Sequence, residues 1–212
     1  MLHPTPVPAR IVVLGVLLLF PACGEEATKA AAGADRFYTA EDLDEIVLRP
    51  DEAPEGTEVR DDASGAYDLE DFWPSSCCLG LQEQFDQAGF QTAQVTMFEQ
   101  PGHSADPLDT RPGWEQVSST AVLFFSDQGA SQAMETWIDY HRAPVLEPVD
   151  VDGLGAEAVG LAGSPMAPAE EQVLYFWRRG RLLLSLRAST GAGTVPLAQV
   201  RRLADRMDAR AS

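Results

Sequence analysis

The sequence is nearly without lysine: Lys29 is the only one among 15 basic residues, set against 33 acidic ones. A formal charge of −18 with no basic patch excludes a nucleic-acid surface and disfavours anionic headgroups, while favouring solubility and cationic partners. Histidine and cysteine are equally scarce, with three of each in 212 residues. There is no P-loop, no G-x-G-x-x-G after a strand, no H-E-x-x-H and no G-x-S-x-G elbow, which removes the common nucleotide, metalloprotease and hydrolase signatures. The C-x-x-C spacing of thioredoxin-like catalysts is missing too. Long apolar runs are also lacking. Ile11 to Phe20 is half the length of about 20 residues that a spanning helix needs, and it ends on Pro21.

What that short run does fit is a targeting segment: Arg10 supplies the charged start, Ile11 to Phe20 the apolar middle, and Ala22 a small residue before Cys23. The stretch Leu19-Phe20-Pro21-Ala22-Cys23 resembles the lipobox of bacterial lipoproteins. That resemblance implies a signal peptide over 1–22, a diacylglyceryl thioether on Cys23 with a further acyl chain such as palmitate, and an extracytoplasmic, lipid-anchored location at the cell membrane. Loss of Arg10 would take the formal charge from −18 to −19. Residues 23–35 (GEEATKAAAGAD after the cysteine) are small and polar without apolar period, a tether reaching about 40 Å when extended. Residues 36–212 suit one domain able to bury its own core.

Within 36–212, Thr39 to Asp42 has capping-box spacing, followed by Leu43, Ile46 and Val47 at helical spacing. Residues 50–72 read as an acidic, loop-rich connection with one short strand at 57–60. A helix over 74–88 places Cys78, Leu81, Phe85 and Ala88 on one face, so Cys78 is expected in the core and Cys77 nearer the rim. Neighbouring cysteines can also close a strained ring, or leave one buried and one reactive thiol near a helix start. Strands over 90–99 and 116–125 form a hairpin. Ser126 caps a helix whose stripe is Ala130, Met134, Trp137, Ile138 and His141. A second hairpin joins 173–177 to 182–186 through Arg179-Gly180, pairing Trp177 with Leu182 and Tyr175 with Leu184. Thr194 is placed to cap a last helix carrying Leu197, Val200, Leu203, Ala204 and Met207. This order predicts an α+β fold: an antiparallel sheet of two hairpins with helices packed on one face.

Both faces of the second hairpin are apolar. Leu174, Phe176, Leu183 and Ser185, with Trp114 and Phe124, therefore form the candidate ligand-binding surface. Three segments, 121–137 (AVLFFSDQGASQAMETW), 152–159 (DGLGAEAV) and 175–186 (YFWRRGRLLLSL), resemble the C-terminal half of actinobacterial extracytoplasmic sensor-type domains. These include the sensor domain of PknH-type kinases and small lipoproteins with a PsbP/Mog1-like fold. The resemblance implies a non-catalytic envelope module with a cleft.

His141 on an apolar stripe reads as a partly buried or capping histidine. His103 with Asp106 and Asp109 reads as a solvated turn, Asp150 to Gly153 as a turn lacking the EF-hand glutamate, and Asp61, Asp62, Asp68, Glu70 and Asp71 as a charged loop. No metal and no cofactor is expected. The sequence points to a lipid-anchored binding or sensor module, not an enzyme, whose partners are the membrane through Cys23 and a small ligand or envelope protein. The alternatives are a hydrolase or thiol enzyme using His103 or Cys77/Cys78, and a structural envelope protein without a ligand pocket.

Overall fold

The computed structural model of the chain describes residues 37–102, 113–142, 144–164 and 171–212. The expected signal segment over 1–22, Cys23, the expected tether, and His103 with Asp106 and Asp109 lie outside the described residues. Helix α1 (Ala40–Ile46) starts as its sequence implies: the Asp42 carboxylate accepts from the Thr39 backbone N–H at 2.6 Å and from its hydroxyl at 2.8 Å. Leu43, Ile46 and Val47 are buried beneath it. The connection that follows is more ordered than a loop, holding β1 (Glu58–Val59), β2 (Gly65–Tyr67) and the one-turn helix α2 (Leu69–Phe72). Asp68 caps α2 by accepting from Asp71 N at 2.9 Å.

Helix α3 (Ser75–Gln87) leads through Gly89, at φ +79°, into β3 (Phe90–Glu99), which pairs with β4 (Gly113–Phe124). Helix α4 (Asp127–His141) begins where Ser126 Oγ accepts from Gly129 N at 3.1 Å. Gly129 is required there, since a Cβ would collide with the carbonyl oxygen of Ala88 at the end of α3. That close approach sets where α4 crosses the sheet. Strands β5 (Glu147–Pro148), β6 (Glu157–Gly163), β7 (Glu171–Arg179) and β8 (Leu182–Ala192) precede α5 (Leu197–Arg210).

The strands make one antiparallel sheet in the order β1-β3-β4-β8-β7-β6-β5, with β2 beside β1 on the edge of β3. The α+β class is as predicted, but helices cover both faces. On one face α1 and α5 pack over Val117, Leu123, Tyr175, Trp177, Leu184 and Leu186. On the other, α3 and α4 pack over Val122, Phe124, Leu174, Phe176 and Leu183, with α2 beside them. The reason lies in β7, where Val173, Tyr175 and Trp177 alternate with Leu174 and Phe176. A strand apolar on both sides must be covered on both.

Three local expectations are corrected. The turn of the second hairpin is Gly180-Arg181, not Arg179-Gly180, so Trp177 pairs with Leu184 and Tyr175 with Leu186. Arg179 stays in the strand because its guanidinium is held by Asp208 of α5. The slip is of two residues, so each side chain keeps its predicted face. The last helix begins after Pro196 rather than at Thr194, because Glu171 accepts from Val195 N at 2.8 Å and holds the chain extended to that point; Leu197 is 41% exposed. Cys78 is half-buried, not core, and its sulfur is bonded to that of the exposed Cys77. Its non-helical backbone (φ −135°, ψ 30°) breaks the helical phase that would have aligned it with Leu81 and Phe85.

Candidate functional site

A cleft of about 390 Å³ opens on the α2–α4 side of the sheet, and its floor follows from strand register. Residues paired directly across antiparallel strands share a face. One row runs Met97, Ser118, Arg187, Leu174, and the next runs Val95, Thr120, Ser185, Phe176. The third row, Ala93, Val122 and Leu183, is apolar and lies in the core with α3 and α4. Moving along the sheet, the face changes from large apolar residues to Ser118, Thr120 and Ser185. These side chains are too short to fill the layer, and a cavity opens above them.

Aromatic residues form the walls. Tyr67 comes from β2, and Phe72 and Trp73 from the end of α2. Trp137, Tyr140 and His141 come from the last turns of α4. Trp73 makes edge contacts with Trp137 and Tyr140, each at 5.9 Å between ring centroids, and Phe72 stands edge-on to Trp137 at 5.7 Å. Tyr140 is 57% exposed at the mouth. Trp137 Nε1 donates to His141 Nε2 at 3.1 Å, which places the proton of a neutral imidazole on Nδ1. Burial, and secondarily the nearby charge of Arg187, push the His141 pKa down to about 4, so the ring is neutral at pH 7. Arg187 is then the cation of the cleft. Its Nε and the Trp73 Nε1 are buried without a hydrogen-bond partner among the described residues.

The six predicted surface residues divide. Leu174 and Ser185 line the cleft. Phe124, Phe176 and Leu183 face the same side but are sealed beneath the helices. Trp114 is buried on the opposite face, because register shifts at Gly113/Trp114 and Trp114/Gln116 break the alternation that would have aligned it with Phe124. His141 is a wall residue. Arg187, Trp73 and Tyr140 were not singled out in the sequence. Arg187 was legible in principle: it continues the Leu183, Ser185 alternation one step past the predicted strand end.

A second depression, of about 500 Å³, is lined by Asp44, Glu45, Asp51 and Asp61 between α1 and the edge of β3. Among the described residues no three His, Cys, Asp or Glu side chains converge as a metal site. Asp62 instead pairs with Arg60, Glu70 accepts from Ser75, and Asp150 accepts from Asp152 N in a local turn.

The fold is similar to that of the crystal structure of the extracellular domain of PknH from Mycobacterium tuberculosis. The TM-score is 0.50 and the identity 11%, over 82% of this chain and 96% of that one. At this identity the likeness is one of fold alone. No protein-family model and no curated protein matches the chain.

Proposed function

We propose that the chain is a lipid-anchored, extracytoplasmic binding module of sensor type that takes a small ligand in the cleft between α2, the end of α4 and the sheet. The observation that carries this reading is the cleft itself. Its volume lies in the range of small-molecule sites, and its lining combines aromatic walls with a few polar groups. The fold likeness to an extracellular domain supports the location, as does the Met1 to Cys23 pattern. No described helix is long and apolar enough to cross a membrane. The thiol-enzyme alternative has less support, since Cys77 and Cys78 are bonded to each other at the exposed start of α3 and neither lines the cleft.

The neutral fluorophore N-phenyl-1-naphthylamine tests the cleft. It should bind the folded protein with micromolar affinity and brighten, and Ser118→Trp, which fills the space over the floor, should abolish binding while leaving the fold intact. Binding that survives the filled cleft, or no binding to either form, would count against the reading.

The anchor is tested separately. Each buried methylene contributes about 0.8 kcal/mol and two or three acyl chains are expected, so spontaneous release from the membrane should be negligible. Cys23→Ser should abolish palmitate incorporation and membrane sedimentation and leave a folded, soluble domain. An acyl label retained by that variant would disprove lipidation at Cys23.

A further inference from the structure

We infer that the cleft is built for a ligand with a flat apolar body and a single anionic group, carboxylate or sulfonate, anchored by Arg187 with the Trp73 indole N–H as a second donor. This rests on the binding reading above and gives it a chemical class.

The argument starts from how this chain treats its other arginines. Acidic residues outnumber basic ones 33 to 15, and half-buried arginines find acceptors accordingly. Arg178 holds Glu157, Arg179 holds Asp208, Arg201 holds Asp205, and Arg210 holds Glu52. Arg181 donates to the Tyr38 carbonyl. A buried Nε without a partner occurs elsewhere, as at Arg181, but Arg187 is the one in this set for which no guanidinium nitrogen has an acceptor among the described residues, and it sits mid-row between Ser118 and Leu174 on the cleft floor. Asp71, the carboxylate at the rim, is exposed and makes no ion pair with it. The Arg187 Nε is held away from water without an acceptor, which is costly, and a charge-assisted bond from the guanidinium to an incoming anion offsets that cost.

Size and charge narrow the class. Phe72, Trp73, Trp137 and Tyr140 present ring faces and edges suited to a flat apolar body. One guanidinium neutralises one negative charge, and the surrounding formal charge of −18 opposes a dianion. His141, neutral through its burial, adds no second cation. The arrangement therefore favours an aromatic monoanion over a phosphate ester.

Two probes sharing one body separate these contributions: 1-anilinonaphthalene-8-sulfonate carries the anion and N-phenyl-1-naphthylamine lacks it. On the wild-type protein the sulfonate should bind about tenfold or more tightly than the neutral probe. Arg187→Gln should erase that preference, and Arg187→Lys should keep part of it. A wild-type measurement covers the case in which the variants fail to fold: 1-naphthoate should displace the neutral probe at concentrations where 1-naphthalenemethanol does not. Equal affinities for the two fluorophores, equal competition by the two naphthalenes, or a preference that survives Arg187→Gln would overturn the anionic class while the cleft remained a binding site. Failure of every probe to bind would remove the cleft reading itself.

Discussion

Asp208→Ala should lower the unfolding free energy by about 3 kcal/mol or more, read as a fall in the urea midpoint at constant slope. Asp208 is 7% exposed on α5 and accepts from Arg179 Nε at 2.7 Å, from Arg179 Nη2 at 2.6 Å and from Gly155 N at 3.1 Å. One carboxylate thus fixes the end of β7, the turn before β6 and the last helix. Removing it leaves a largely buried guanidinium without its partner and an N–H without its acceptor, and such an orphaned charge costs more than the pair itself contributes. Asp208→Asn keeps one acceptor and should cost less. Replacing both partners, Arg179→Met with Asp208→Leu, should recover much of the loss. Because this cluster lies on the α1–α5 side, the folded fraction should bind N-phenyl-1-naphthylamine as the wild type does. A loss below about 1 kcal/mol for Asp208→Ala would show that water reaches Arg179.

Stability should also fall as pH drops from about 6.5 toward 4, through His141. Its surroundings are Trp137 and Tyr140 on its own helix, Phe176 from β7, Arg187 from β8 and Asp71 at the cleft rim. Burial, then the Arg187 charge, hold the folded-state pKa at about 4 against 6.5 in the unfolded chain. The unfolded chain therefore takes the proton first. The contribution is fully present above pH 6.5 and is lost as pH falls through this window, amounting to at most about 3 kcal/mol. His141→Gln should remove that part of the pH dependence, so wild type and variant should converge in relative stability on acidification. Parallel stability curves for the two proteins between pH 7 and 4 would show that His141 is solvated.

The structure also explains what could be read in advance. The capping box at Thr39, the bounds of β3 and the Ser126 cap with its apolar stripe follow from local rules acting over a few residues, and these survived. The cleft does not follow from such rules. Its floor is assembled from β3, β4, β7 and β8, whose pairing places Ser118 beside Arg187 across a long intervening stretch of chain. Its walls include Phe72 and Trp73, which lie in a segment whose acidic, glycine- and proline-rich composition masks a one-turn helix. That helix is held by aromatic contacts with Phe90 and Trp137 rather than by its own propensity. Trp114 lies on the opposite face for a related reason: strand alternation fails wherever the register shifts, and a lone sequence does not show the bulge.

The hydroxyl of Tyr38, just before α1, donates to the carbonyl of Ala211, just after α5, at 2.6 Å. The first and last described segments are thus stapled together on the sheet face opposite the cleft. A pull delivered through whatever precedes residue 37 loads this staple and the α1–α5 layer first, and reaches α2 and the end of α4 only through the hydrogen-bonded sheet. The aromatic walls of the cleft are in this way mechanically insulated from residue 37. A labelled or immobilised version joined at either end should therefore present the cleft outward and undistorted.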